Sequence, residues 1–222
     1  MQAGPPDPEH GRRSGGVGIL AKCPMKTIPI AGASKDYQDA YEAGRAAIYA
    51  CDLGAATLHI SVIYGWTGGI KGSIACDRTD DLLSIVAQKN QSLPAGPKII
   101  MGDLNCELQD LESVTTLMSE EGWMDLGANA NIWGGKANEP TCHTNATARE
   151  TRRDYALANA HLIPCIEGVR VHNSDEFPTH KPLQIKIATA KLAVPRRTLK
   201  KTDSAAKAIE EMITRTMEQS EE

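Results

Sequence analysis

A chain of 222 residues, 41% hydrophobic and 23% charged, is long enough for one domain with a sizeable core and too apolar to be disordered throughout. Its net charge of −4 gives no global attraction to nucleic acid or to an anionic membrane, so any polyanion has to be held by a local patch. No run approaches the ~18 apolar residues of a membrane span, and residues 1–16, with Pro5, Pro6, Pro8 and four charged side chains, lack the apolar stretch of a secretory signal.

The expectation is therefore a non-secreted, intracellular protein, nuclear or cytoplasmic, with no membrane partner. Cys23, Cys51, Cys76, Cys106, Cys142 and Cys165 lie far apart with no CxxC or Cys/His cluster, which points to reduced, packed thiols rather than a zinc site.

In chain order, residues 1–14 are expected to be a disordered segment. Residues 16–22 (GVGILAK), 45–51 (RAAIYAC) and 57–64 (TLHISVIY) read as strands of an antiparallel set, the last alternating Leu58, Ile60 and Val62 with His59, Ser61 and Ile63. After a glycine-rich loop over 65–72, residues 73–91 form a helix with Leu82, Leu83, Ile85 and Val86 on its apolar face, ended by Pro94-Ala95-Gly96-Pro97. The short apolar run 97–101 (PKIIM) is a buried strand that releases Asp103 and Asn105, two residues apart and so on one side of an extended segment, into a loop.

A second helix is predicted over 108–121, with Leu111, Val114, Leu117 and Met118 three or four apart and Gly122 as its stop. Residues 127–150 are irregular, and strands follow at 154–158, 164–171 and 183–188. Strands with two central helices among them suggest an α/β sandwich of two packed sheets flanked by helices. Beyond Thr189 the basic run Lys191, Arg196, Arg197, Lys200 and Lys201 leads to residues 204–218, where Ala205, Ile209, Met212, Ile213 and Met217 share a helical face. This linker and amphipathic C-terminal helix, residues 189–222, either packs on its own domain or offers a surface to a protein partner. The main domain is then 15–188.

Three segments carry chemistry in register: Gly102-Asp103-Leu104-Asn105, Thr151-Arg152-Arg153-Asp154-Tyr155-Ala156-Leu157 and Thr179-His180-Lys181-Pro182-Leu183. Together they resemble the G-D-x-N, R-I-D-Y and S-D-H-x-P motifs of the endonuclease/exonuclease/phosphatase superfamily, whose fold is DNase I-like. The resemblance implies a Mg²⁺-dependent phosphodiesterase acting on nucleic acid. It implies that Asp103 positions or deprotonates the attacking water and meets the metal, that Asn105 donates its amide to a phosphate oxygen, and that Asp154 orients His180. It also implies that Tyr64 contacts phosphate, with Arg152 adding positive charge beside it. Read from the residues alone, a turn cap is the lesser alternative for Asp-x-Asn after a strand, and Tyr64 is equally a packed strand-end aromatic.

The chain departs from the family pattern in three places. No strand carrying the family's metal-binding glutamate is expected ahead of Gly15-Gly16-Val17-Gly18-Ile19, so the sandwich is expected to lack its first strands, as an N-terminally incomplete copy. Thr179 stands where the family has an aspartate beside the histidine. Arg153 stands where the family has an apolar residue, on the side of the strand opposite Asp154 and toward the expected core. These departures leave a catalytically inactive, degenerate fragment, as in a mobile-element protein, as the alternative.

Overall fold

The computed structural model describes residues 2–3, 16–54, 56–143, 149–173, 176–177 and 179–192. At its centre is β5 (Thr57–Tyr64), whose alternating side chains are covered on both faces, so it takes an interior place in a sheet. β4 (Ala46–Asp52) pairs with it antiparallel on one side, and β6 (Lys98–Asp103) pairs parallel on the other. The parallel pair needs a crossover, which α2 (Ile74–Gln91) supplies. Ser73 caps α2 by accepting the Cys76 N–H at 3.1 Å, and Lys89 in its last turn complements the helix dipole.

With β3 (Met25–Thr27), β7 (Met124–Asp125) and β8 (Asp154–Ala158), the sheet has six strands in the order β3-β4-β5-β6-β8-β7. One face is covered by α1 (Lys35–Glu42), α2 and α3 (Glu112–Glu120), with Leu82, Leu83, Val86 and Leu117 buried against Ile48, Ile63 and Ile100. Each such side chain contributes about 1.5–3 kcal/mol on burial. The other face carries a two-stranded antiparallel sheet, β9 (Ile166–Val171) and β10 (Leu183–Ile187), over Leu58, Ile99, Ala156 and Ala158. The two-sheet α/β sandwich is present, and its second sheet has just two described strands.

Several elements differ from the sequence expectation. The strand expected at 16–22 is confined to β2 (Gly16–Val17), which pairs with β1 (Gln2–Ala3); the rest of the segment expected to be disordered, and the C-terminal helix beyond Leu192, lie outside the described residues. There are three described α-helices rather than two. α1 is short and mostly polar, and its visible sequence cue is Ser34, which caps the Tyr37 N–H at 3.3 Å. The helix expected over 108–121 splits, because Leu111 is extended (φ −107, ψ 115) between a 3₁₀ turn at Leu108–Asp110 and α3. Among the described residues no helix is long and apolar enough to cross a membrane, and all six cysteines are free.

Candidate active site

Two strands end and a third begins at the same edge of the large sheet. Tyr64 at the end of β5 is the partner of Asp103 at the end of β6, and Asp103 in turn is the partner of Asp154 at the start of β8. Opposed residues on adjacent antiparallel strands project to the same face, which sets the two carboxylates side by side.

The approach of the β5 and β6 exits is close. A Cβ on Gly65 would lie 2.2 Å from the Leu104 carbonyl oxygen, and one on Gly102 (φ 154) would lie 1.8 Å from that of Ile63. Glycine is required at both positions. The Gly65 N–H also donates to the Asp103 carbonyl at 2.8 Å.

His180 reaches this edge through residues 141–143. Cys142 bridges to both Thr151 and His180, the Lys181 N–H donates to the Thr141 carbonyl at 2.7 Å, and the His143 N–H donates to that of Thr179 at 2.9 Å. Thr141 is fully buried, and its Oγ1 accepts the N–H groups of Arg153 (3.1 Å) and Asp154 (2.9 Å). Thr141 thus ties the start of β8 to the histidine segment. It sits in a stretch without hydrophobic periodicity, and no sequence signal singles it out.

The resulting geometry is compact. His180 Nδ1 lies 2.7 Å from Asp154 Oδ2, while Nε2 faces Asp103 Oδ2 at 3.9 Å, too far for a direct hydrogen bond. Asn105 donates its backbone N–H to Asp103 Oδ1 at 3.0 Å and its side-chain amide to Asp103 Oδ2 at 3.1 Å and the Gly65 carbonyl at 3.4 Å. Asp103, Asn105, Asp154 and His180 therefore converge. Burial raises the Asp103 pKa above its ordinary value, the Asn105 N–H opposes that rise, and the Asp154 charge adds to it. A carboxylate bonded to one ring nitrogen fixes the orientation of the imidazole, leaving the other nitrogen free to meet a substrate group or a water.

Tyr64 lies at this edge, but the cation beside it is Arg45. Its guanidinium sits 5.1 Å from the Tyr64 ring centre and 4.6 Å from that of Trp66, and donates to the carbonyls of Tyr64 (3.3 Å) and Gly65 (2.9 Å). Arg152, expected to supply that charge, is instead engaged with Asp125 in a bidentate pair of which one bond measures 2.7 Å, and it lies over the Tyr155 ring at 4.5 Å. Side-chain exposures of 10% and 5% make this a buried structural ion pair. Arg153, expected to face the core, reaches the rim of the site, where Nη1 donates to the Asn105 carbonyl at 3.3 Å and lies 3.7 Å from Glu107 Oε1.

No group of three or more His, Cys, Asp and Glu side chains arranged to hold a metal occurs among the described residues. The hard oxygens present are those of Asp103 and Asp154. Mg²⁺ is commonly held by one or two carboxylates with phosphate oxygens and water completing its shell, so this half-buried pair fits a cation shared with a substrate rather than one enclosed by protein.

The sequence matches the model of the Endonuclease/Exonuclease/phosphatase family over residues 2–175. Among curated proteins, none matches. The fold is similar to the endonuclease domain of TRAS1, a telomere-specific non-LTR retrotransposon, with 13% identity, a TM-score of 0.53 and coverage of 75% of this chain and 67% of that one. It is also similar to the catalytic domain of Xenopus laevis APE2, at 16% identity, TM-score 0.51 and coverage of 70% and 61%. The 3'-5' exonuclease NExo of Neisseria meningitidis aligns at 13% identity and TM-score 0.49, over 66% of each chain. The chain thus spans less than two thirds of the length of that exonuclease.

Proposed function

Because the chain belongs to the endonuclease/exonuclease/phosphatase family, we propose that it hydrolyses a phosphate ester of nucleic acid at the edge where Asp103, Asn105, Asp154 and His180 meet. The observation that carries this is the line Asp154–His180–Asp103, in which one ring nitrogen is held at 2.7 Å and the other faces a second carboxylate at 3.9 Å. The interval on the Nε2 side suits a water placed between the two groups, donating to the Asp103 carboxylate.

In this scheme Asp103 orients the attacking water and accepts its proton as the water oxygen bonds to phosphorus. The ester P–O bond breaks, and the leaving oxygen takes a proton from solvent. His180, held by Asp154, turns its Nε2 edge toward the negative charge that builds on the phosphoryl oxygens. Asn105 keeps the Asp103 carboxylate aligned, and Tyr64 contacts the phosphate from the β5 side. Asp103, with Asp154 beside it, would hold a Mg²⁺ ion, which when bound would neutralise phosphate charge.

Nucleic acid is favoured as the substrate class by the similarity of fold to an endonuclease domain of a retrotransposon. The test is cleavage of end-labelled single- and double-stranded DNA and of RNA by the purified chain, with Mg²⁺ and with chelator, beside Asp103→Ala. Mg²⁺-stimulated cleavage abolished in the variant is expected. Cleavage equal in the two proteins would refute the proposal.

A further inference from the structure

We infer that Arg153 is a positioning residue for Asn105, gripping the carbonyl of the one left-handed residue in the candidate site. Its consequence for turnover rests on the hydrolase proposal, but its geometry does not. Asn105 has φ 54, one of two described non-glycine residues with positive φ, the other being Asn138. L-residues avoid that region, and a side chain holds it where surrounding groups enforce it.

Two of the enforcing contacts come from Asp103, whose carboxylate accepts the Asn105 N–H at 3.0 Å and its side-chain amide at 3.1 Å. Both come from the residue they help to align, and a third, longer bond runs from the Asn105 amide to the Gly65 carbonyl at 3.4 Å. Arg153 provides an anchor from β8's flank. Its guanidinium donates to the Asn105 carbonyl at 3.3 Å and is steadied by Glu107 at 3.7 Å. Its own carbonyl accepts the Leu104 N–H at 2.9 Å, and its N–H is held by Thr141 at 3.1 Å. The backbone and side chain of one residue therefore bracket the Leu104–Asn105 peptide.

Nη1 makes both contacts, donating to the Asn105 carbonyl at 3.3 Å and standing within ion-pair range of Glu107 at 3.7 Å; the planar guanidinium fixes the direction of that donor, which a flexible lysine ammonium does less well. An apolar residue at 153 offers no donor to the Asn105 carbonyl at all. Release of that carbonyl lets Asn105 leave the left-handed region, and Asp103 then loses both of its donors from Asn105. The effect passes through Asn105, and it falls on the rate of the chemical step rather than on substrate affinity.

The full chain is compared with Arg153→Met and Arg153→Lys by two measurements. The first is the side-chain amide resonance pair of Asn105 in ¹⁵N-labelled protein, assigned by its loss in Asn105→Asp. The second is kcat and KM for DNA cleavage. Arg153→Met is expected to shift or broaden the Asn105 amide pair and to lower kcat about tenfold with KM within about twofold, the size set by one charge-assisted hydrogen bond; Arg153→Lys recovers part of both.

If Arg153→Met does not fold, Glu107→Gln, which removes the anion that steadies the guanidinium, gives a smaller shift of the same resonance. An unmoved Asn105 amide in a folded Arg153→Met overturns the inference. A raised KM with unchanged kcat overturns it as well, because Arg153 then meets the substrate itself. Should the unsubstituted chain cleave nothing, the hydrolase proposal fails alone, and the amide spectrum still decides the role of Arg153.

Discussion

Replacing Asp154 with Asn keeps the volume and most of the packing at the start of β8 but removes the charge that faces His180. In the structure the pair is separated by 2.7 Å, with side-chain exposures of 25% for Asp154 and 38% for His180. A hydrogen bond to a charged group contributes about 1.5–3 kcal/mol, and solvent screening at this exposure argues for the lower part, about 1.5–2 kcal/mol. At 1.36 kcal/mol per tenfold, turnover is expected to fall about 10–30-fold from that term alone. The amide can also present an N–H to the ring nitrogen that the carboxylate engages, which reverses the tautomer and adds to the loss. The assay is kcat/KM for DNA cleavage, with thermal unfolding as a control, since a partly exposed pair should move stability little. Turnover in Asp154→Asn within twofold of the parent would refute the assignment of His180 as an oriented group.

Gly65→Ala is expected to abolish activity and lower stability, since its Cβ would lie 2.2 Å from the Leu104 carbonyl and push β5's exit off the catalytic loop; circular dichroism and cleavage assays check this. Asp125→Asn leaves the Arg152 charge buried beside a neutral amide, and a stability loss of about 3–5 kcal/mol in urea titration is expected. Leu83→Ala, at a fully buried α2 position, should cost about 2–5 kcal/mol by the same measurement. His59 is buried, and burial first, then the Lys98 charge, lowers its pKa. The folded state thus resists the proton that the unfolded chain takes up below about pH 6.5. Its stabilising contribution is full above about pH 6.5 and declines as pH falls, at up to about 1.4 kcal/mol per pH unit until the folded pKa is reached. Urea titrations at pH 7 and 5.5 should show a smaller loss in His59→Leu than in the parent, and an equal loss would remove His59 as the cause.

The parts of the fold visible in the sequence are those whose burial repeats at a strand or helix period. β5 was legible over all of Thr57–Tyr64, and α2 differs from its expected range by the capping residue alone, because both elements are long and periodic. α1, β3 and β7 are short, and tertiary pairing rather than local pattern defines them: Met25–Thr27 is a strand because Cys51, Ala50 and Tyr49 are opposite it. Asp103 and Asp154 could be placed at strand ends, since apolar runs stop or start there. The fates of Arg152 and Arg153 could not, because which acceptor a long guanidinium reaches depends on Asp125 and on the Asn105 carbonyl, each far away in sequence. Arg45 was hidden for the same reason. Its ring partners, Tyr64 and Trp66, come alongside only when β4 pairs with β5.

The central claim is that Asp103 and His180 act on one phosphate as a unit, and a double-mutant cycle on cleavage tests it most directly. Cleavage of DNA is measured for the parent, Asp103→Asn, His180→Ala and the double variant under one set of conditions. Groups that serve the same transition state lose most of their effect together, so the double variant should be little slower than the slower single variant. Losses that multiply, or a parent rate no greater than that of the double variant, would contradict the assignment of this edge as the catalytic site.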